Sequence, residues 1–226
     1  RFVSMASHEF RTPLSTILSS TALLRKYTLT EDQDKREKHL LKIKDSVKHL
    51  NELLVDFLSL GKLEEGKIKF NPHRFNAREF IQEVCDEMKP TLKRGQNIQH
   101  AYRGGANFCN DKRLLKNILI NLLSNAIKFS PAGEMIGVDV YHRDGNLEVE
   151  VSDMGVGIPA EDMQHLFSTF FRGKNVTNIE GTGLGLNIVK RYTDLMQGTI
   201  SVSSKEQQGT IFHLSLPEIV TEDSTY

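Results

Sequence analysis

The stretch FVSMASHEFRTPL, residues 2–14, indicates one helix that carries a reactive histidine. His8 is followed directly by Glu9, and Thr12 comes about one turn later on the same face. Pro13 removes the hydrogen bond to the carbonyl of Glu9, so we expect a bend at this turn. A histidine can act as a nucleophile, and a neighbouring carboxylate can fix its tautomer and accept its proton. On this stretch alone, a surface histidine beside a helix-breaking proline remains an equal alternative.

Two amphipathic helices are predicted in the first third of the chain. The first extends to about Tyr27, a polar connection covers Thr28–Asp34, and the second runs to about Gly66. The apolar seam of the second helix consists of Leu40, Ile43, Val47, Leu50, Leu54 and Phe57. One antiparallel hairpin cannot bury so long a seam, whereas two hairpins can, as a four-helix bundle. We therefore expect a homodimer; the alternative is that the seam packs on the rest of the same chain.

Composition restricts the class of protein. Lys plus Arg and Asp plus Glu each number 29, so charge gives no indication of nucleic-acid binding. No apolar run approaches the roughly 18 residues of a membrane span, and no secretory signal is visible, so no membrane contact is expected from this fragment. Cys85 and Cys109 lack metal-ligand spacing, and a cytoplasmic setting is expected. Because the chain begins inside a helical pattern, we expect a longer parent protein, whose membrane anchoring stays open.

A second domain is predicted beyond a glycine-rich, charged boundary at Gly61–Asn71. We predict helices at Arg78–Met88, from Asn110 or Asp111 to about Phe129, around Glu161–Phe170 and at Leu184–Met196. We predict strands at Asn97–Tyr102, Ile136–His142, Leu147–Ser152, Thr199–Ser203 and Thr210–Leu216, with a tight turn at Gly145-Asn146. Antiparallel strands with intervening helices indicate an α+β fold. The division expected is a helical hairpin at residues 1–68 and an α/β sandwich at residues 72–220.

Polar side chains recur on one face of the predicted helix that ends at Phe129. Asn121, Asn125 and Lys128 lie four and three residues apart. Asn offers an oxygen to a hard cation such as Mg²⁺, and Lys offers a positive charge to phosphate. The alternative is an ordinary polar outer face, although Asn is a poor residue for a helix interior.

Three further pieces suit a nucleotide. Asp153 follows a strand, where its carboxylate can accept a hydrogen bond from an exocyclic amine, and two glycines follow it. Arg172 ends an aromatic stretch and can reach a γ-phosphate. The loop GTGLGL, residues 181–186, leads into a helix whose N-terminus favours phosphate. A polar stretch at residues 173–180 suits a lid. Taken singly, these pieces also fit a strand-ending turn, a surface arginine and a glycine-rich loop.

In this order the stretches resemble the H, N, G1, F and G2 boxes of two-component sensor histidine kinases. The boxes are HEFRTPL (8–14), NLLSNAIKF (121–129), DMGVGIP (153–159), FSTFFR (167–172) and GTGLGL (181–186). The likeness covers about residues 1–217. It implies a dimerization and phosphoacceptor hairpin followed by a catalytic domain of the Bergerat (GHKL) ATP-binding fold, with ATP and Mg²⁺ as cofactors.

The resemblance also implies a role for each site residue. His8 would accept the phosphoryl group and Glu9 would orient its ring, while Asn125 would ligate Mg²⁺. The phosphates would lie near Asn121, Lys128 and Arg172, and the adenine near Phe129, Asp153 and Thr210. The pocket and the lid hinge would be formed by Gly155, Gly157, Gly181, Thr182, Gly183, Leu184 and Gly185.

Partners and further activity follow from the same likeness. The phosphoryl group would pass from the histidine to an aspartate of a response-regulator receiver domain. The pattern Glu9-x-x-Thr12 resembles that of bifunctional members, in which Thr12 would position a water at the acyl phosphate of the regulator. A non-catalytic interaction module would need a damaged nucleotide site or no acceptor, and every box is intact here. Whether transfer occurs within one chain or between two chains stays open.

Overall fold

The computed structural model describes residues 2–176, 179 and 181–220, with side chains from Ala6 onward. Helices α1 (Phe2–Leu24) and α2 (Gln33–Glu64) form the expected antiparallel hairpin. The Phe10 ring packs edge-on against the Phe57 ring, with centroids 6.4 Å apart, so the end of α2 lies beside the start of α1. Within the described residues, none of the helices combines the length and apolar character that a bilayer crossing demands.

Much of the apolar seam of the hairpin remains uncovered in a single chain. On α1 the side chains of Leu14 and Leu18 are 54% and 73% exposed. On α2 the exposed large apolar residues are Leu40, Leu41, Val47, Leu54, Val55 and Leu58. Among the residues that the structure describes, the rest of the chain therefore leaves this face largely uncovered.

The second part of the chain is built on a five-stranded sheet. Its strands are β2 (Asn97–Gly104), β4 (Met135–Arg143), β5 (Asn146–Asp153), β6 (Thr199–Ser204) and β7 (Thr210–Pro217). The strand order is β2-β4-β5-β7-β6. All neighbouring pairs are antiparallel except β2 and β4, which are parallel, whereas we expected antiparallel strands throughout. Two short strands that sequence reading missed, β1 (His73–Asn76) and β3 (Asn107–Asn110), pair with each other.

Three helices, α3 (Ala77–Met88), α4 (Lys112–Phe129) and α6 (Gly185–Leu195), share one apolar core with the sheet. The core includes alternate residues of the central strands, as in β5, where every second side chain is buried. Leu60 of α2 is fully buried in the same core, so the end of the hairpin is part of the packing of the second domain.

Two local predictions were wrong. The helix expected at Glu161–Phe170 is a single turn, α5 (Ala160–Met163), followed by further turns. The tight turn between β4 and β5 falls at Asp144-Gly145, both with positive φ, one residue before the position expected. By contrast, α2 ends close to the predicted position: Gly61 lies inside the helix, which ends in a turn with Gly66 at φ +63°.

A buried amide fixes the C-terminal end of α4. The side-chain nitrogen of Gln96 donates to the carbonyls of Ile127, Ser130 and Pro131 at 3.0–3.2 Å. Its side-chain oxygen accepts the N–H of Lys93 at 2.9 Å. These bonds satisfy carbonyls that a helix end leaves without partners, and they hold the segment that carries the polar face of α4 in place.

Candidate nucleotide and phosphoacceptor site

Helix α4 has two chemically different faces. Asp111 caps its N-terminus by accepting the N–H groups of Arg113 and Leu114 at 3.0 and 3.1 Å. The face toward the sheet buries Leu114, Leu115, Ile118, Leu119, Leu122, Leu123, Ala126 and Ile127. The remaining face carries Asn121, Asn125 and Lys128, all half-buried, as the spacing predicts.

The glycine loop, residues 181–186, lies directly against this polar face. A Cβ atom at Gly185 would come within 2.6 Å of Asn121 Oδ1, and one at Gly181 would overlap Lys128 Nζ. At Gly183, with φ +66°, a Cβ would meet the backbone of Phe170. Glycine is therefore needed at these positions for close approach, and three of the boxes are brought together.

Asp153 lies at the end of β5 in a nearly closed environment. Its side chain accepts the Gly155 N–H at 2.8 Å, and the Thr210 N–H also donates to it. Burial outweighs these bonds and raises the pKa of the carboxyl to about 6. Thr210 lies directly opposite Asp153 in the β5–β7 register, so the two predicted adenine contacts are adjacent.

The two glycines after Asp153 make different contacts. A Cβ at Gly155 would strike the Phe129 carbonyl and Asp153 Oδ1, so this glycine joins the G1 box to the end of α4. Gly157, with φ +65°, lies against the backbone of Lys205 in the turn between β6 and β7. The atoms nearest to this glycine therefore belong to that turn.

Arg172 points to the lid in this structure. Its guanidinium donates to the carbonyls of Val176 and Ile179, the latter at 2.6 Å. The predicted lid begins with a short 3-10 turn at Lys174–Val176, and Thr177, Asn178 and Glu180 lie outside the described residues. The Arg172 guanidinium could contact a γ-phosphate only if it released these two carbonyls.

His8 lies on the outer surface of α1. Its side chain is 76% exposed, and Nδ1 lies 3.9 Å from Glu9 Oε1. The Thr12 hydroxyl donates to the His8 carbonyl at 3.4 Å, and α1 continues through Pro13. The ring can therefore be reached from outside, with a carboxylate beside it.

One residue that sequence reading missed joins the two parts of the site. The Thr182 hydroxyl in the glycine loop donates to Asp56 Oδ2 of α2 at 2.6 Å. Asp56 precedes Phe57, whose ring contacts Phe10 two residues from His8. The glycine loop is thus docked on the hairpin at the level of the histidine. No motif marks Asp56, because it is one of many polar positions on α2.

Two protein-family models match separate parts of this chain. Residues 1–66 match the His Kinase A (phospho-acceptor) domain. Residues 110–219 match the family described as histidine kinase-, DNA gyrase B-, and HSP90-like ATPase. The chain belongs to the sensor histidine kinases. It has the catalytic core of a protein-histidine kinase and the ATP-binding domain of that family.

Curated histidine kinases resemble the chain over almost its whole length. The circadian input-output histidine kinase CikA of Thermosynechococcus vestitus is 36% identical across 96% of this chain and 31% of its own length. Histidine protein kinase DivJ of Caulobacter vibrioides is 32% identical across 97% of this chain and 37% of its own. The autoinducer 2 sensor kinase/phosphatase LuxQ of Vibrio parahaemolyticus is 32% identical across 96% of this chain and 26% of its own length. The chain therefore spans only about a quarter to two-fifths of these relatives.

Solved structures of histidine kinases share the fold. Histidine kinase AdeS of Acinetobacter baumannii superposes with a TM-score of 0.74 at 23% identity, covering 94% of this chain and 98% of AdeS. Full-length ShkA, crystallised in complex with AMPPNP, superposes with a TM-score of 0.70 at 26% identity, covering 96% of this chain and 46% of ShkA. The hairpin followed by a GHKL-type α/β domain is therefore confirmed.

The raised pKa of Asp153 gives a test of the adenine pocket. We expect its carboxyl to titrate at about pH 6 in the nucleotide-free kinase core. An adenine amine that donates to the carboxylate favours the ionised form, so bound nucleotide lowers this pKa. By linkage, nucleotide affinity weakens as the pH falls through about 6.

The ¹³C shift of the Asp153 side-chain carboxyl, followed against pH with and without AMPPNP, measures both effects. Asp153→Asn identifies the signal. A titration midpoint at about 4, the ordinary value for Asp, would contradict the buried pocket. A midpoint that nucleotide does not lower would contradict the adenine contact.

Proposed function

We propose that this chain is the ATP-dependent autophosphorylating core of a two-component sensor kinase, with His8 as the phosphoacceptor. It would comprise the phosphoacceptor hairpin at residues 1–68 and the catalytic domain at 72–220. The main support is that one chain presents an exposed histidine beside a carboxylate and, docked at the same level of the hairpin, a glycine loop facing Asn121 and Lys128.

The polar face of α4 and the glycine loop would hold the phosphates. Lys128 would neutralise phosphate charge, and the loop amides with the N-terminus of α6 would add donors and a favourable dipole. The half-buried amide of Asn125 would ligate Mg²⁺, which keeps phosphate oxygens and waters as its other ligands. Bound Mg²⁺ would supply charge neutralisation on the transferred group, which is most of what phosphoryl transfer requires.

On the hairpin, one ring nitrogen of neutral His8 would attack the γ-phosphorus of ATP in line, and the bond from that phosphorus to the bridging oxygen would break to release ADP. The other nitrogen would donate to Glu9, which stabilises the imidazolium as it forms. The present 3.9 Å separation of Nδ1 and Oε1 would shorten to hydrogen-bond length in the reactive complex. The Glu65–Asn71 connection would let the catalytic domain move relative to α1.

The uncovered apolar face of the hairpin supports a homodimer. Leu40, Val47 and Leu54 recur every seven residues on α2 and are about half exposed. Heptad spacing of this kind is typical of a helix that packs along a partner helix. A second hairpin placed against this face would complete a four-helix bundle.

A receiver domain is the partner proposed for the phosphorylated histidine, and a phosphatase activity toward it is a second candidate function. Two observations favour the latter: Thr12 is exposed one turn from His8, and a relative that matches most of this chain is named a sensor kinase/phosphatase. The Thr12 hydroxyl would leave the His8 carbonyl and position a water at the acyl phosphate.

Incubation with Mg²⁺ and γ-³²P-labelled ATP tests the acceptor. We expect an acid-labile, base-stable label on residues 2–24 that His8→Gln abolishes, because Gln has no nucleophilic ring nitrogen. The matched variant Thr12→Ala should keep this label yet lose dephosphorylation of the receiver domain. A label that persists in His8→Gln would refute the acceptor assignment, and loss of both activities in Thr12→Ala would refute the separate roles.

A charge on the exposed seam tests the dimer. Val47→Glu should shift the chain from dimer to monomer in sedimentation equilibrium, because pairing would bury the carboxylate. The matched control Lys38→Glu places its carboxylate on the opposite face of α2, so it should remain dimeric. Equal self-association of wild type and Val47→Glu would contradict this interface.

A further inference from the structure

A carboxylate of the hairpin is bonded to the loop that the proposed function assigns to phosphate. The Thr182 hydroxyl donates to Asp56 Oδ2 at 2.6 Å and accepts the Leu184 N–H at 3.2 Å. Asp56 therefore acts, through one hydroxyl, on the backbone that leads into α6.

Two further contacts keep Asp56 in this position. Arg191 of α6 forms an ion pair with Glu64 of α2 at 3.4 Å. One turn of α2 after Asp56, Leu60 is fully buried in the core of the catalytic domain. The hairpin and the glycine loop are thus held together by an apolar contact, an ion pair and the Asp56 hydrogen bond.

The electrostatics of the loop favour an anion at this place. Helix α6 begins at Gly185 without a side-chain cap, so its first N–H groups and its dipole attract negative charge. Asp56 supplies that charge from within the chain. Burial raises the pKa of its carboxyl, which indicates that the group is partly withdrawn from solvent by the docking.

We propose that the Asp56 carboxylate is a tethered anion that competes with the phosphates of ATP for the glycine loop. The docked arrangement is then a resting state, and nucleotide binding releases the loop from α2. This inference rests on the proposed function, because it needs the phosphates to lie at Gly181–Gly185. Asp56 is a positioning residue here, since it acts through Thr182.

Competition of this kind has a defined chemical signature. Coupling between docking and binding is reciprocal, so docking weakens nucleotide binding by the same factor by which bound nucleotide weakens docking. The influence of Asp56 on nucleotide affinity should depend on phosphate charge, because two anions at one loop repel each other. Adenosine has no phosphate, so its affinity should be the same with and without the charge of Asp56.

Asp56→Asn is the variant that tests the inference, because it removes the charge and keeps the shape. By calorimetric titration we expect Mg²⁺·AMPPNP to bind roughly five- to thirtyfold more tightly than to wild type, and adenosine equally to both. In autophosphorylation, KM for ATP should fall while kcat stays the same. The matched control Asp45→Asn, an exposed residue three turns earlier on the same face of α2, should leave every value unchanged.

The outcomes separate this inference from the proposed function. If wild type binds Mg²⁺·AMPPNP and Asp56→Asn binds it equally or more weakly, the tethered anion is refuted and the kinase assignment stands. An equal gain for adenosine would also refute it, because the docking would then block the whole pocket. If no variant binds Mg²⁺·AMPPNP, both proposals fail.

Discussion

Burial of one face of α4 against the sheet is the constraint on which the nucleotide site depends. Eight apolar residues of this helix are buried, and each buried Leu or Ile contributes about 1.5–3 kcal/mol. Rotation of the helix to hide Asn121, Asn125 or Lys128 would expose several of the buried apolar side chains. That cost exceeds the roughly 1 kcal/mol of a typical hydrogen bond, so the polar face must point toward the glycine loop.

The same packing brings the hairpin to the site. Because Leu60 belongs to the core of the catalytic domain, α2 cannot end without reaching α6, and Asp56, one turn earlier, meets Thr182. The histidine and the glycine loop are therefore held at one level of the hairpin. The Asp56–Thr182 contact gives the mobile ATP-binding domain a resting position beside the histidine. In the proposal above, binding of ATP releases this contact.

Local patterns in the sequence were sufficient for the hairpin, for α4 and for the site boxes. Helical periodicity fixed the face of Asn121, and the seam of α2 indicated an uncovered surface. Long-range features could not be found in this way: β2 and β4 are parallel because of the chain path between them, and the four-residue strands β1 and β3 are too short to show alternation. Asp56 was missed because only the docking of two domains distinguishes it from other acids on α2.

The position of the metal tests the central claim most directly. With Mn²⁺·AMPPNP in place of the magnesium complex, paramagnetic broadening of amide NMR signals reports distance from the ion. We predict the strongest broadening at Asn125 and along Gly181–Gly185, where the polar face of α4 meets the loop. Broadening centred instead on the open cleft of about 740 Å³ beside Ile158–Glu161 and Ser204–Glu206 would contradict the account.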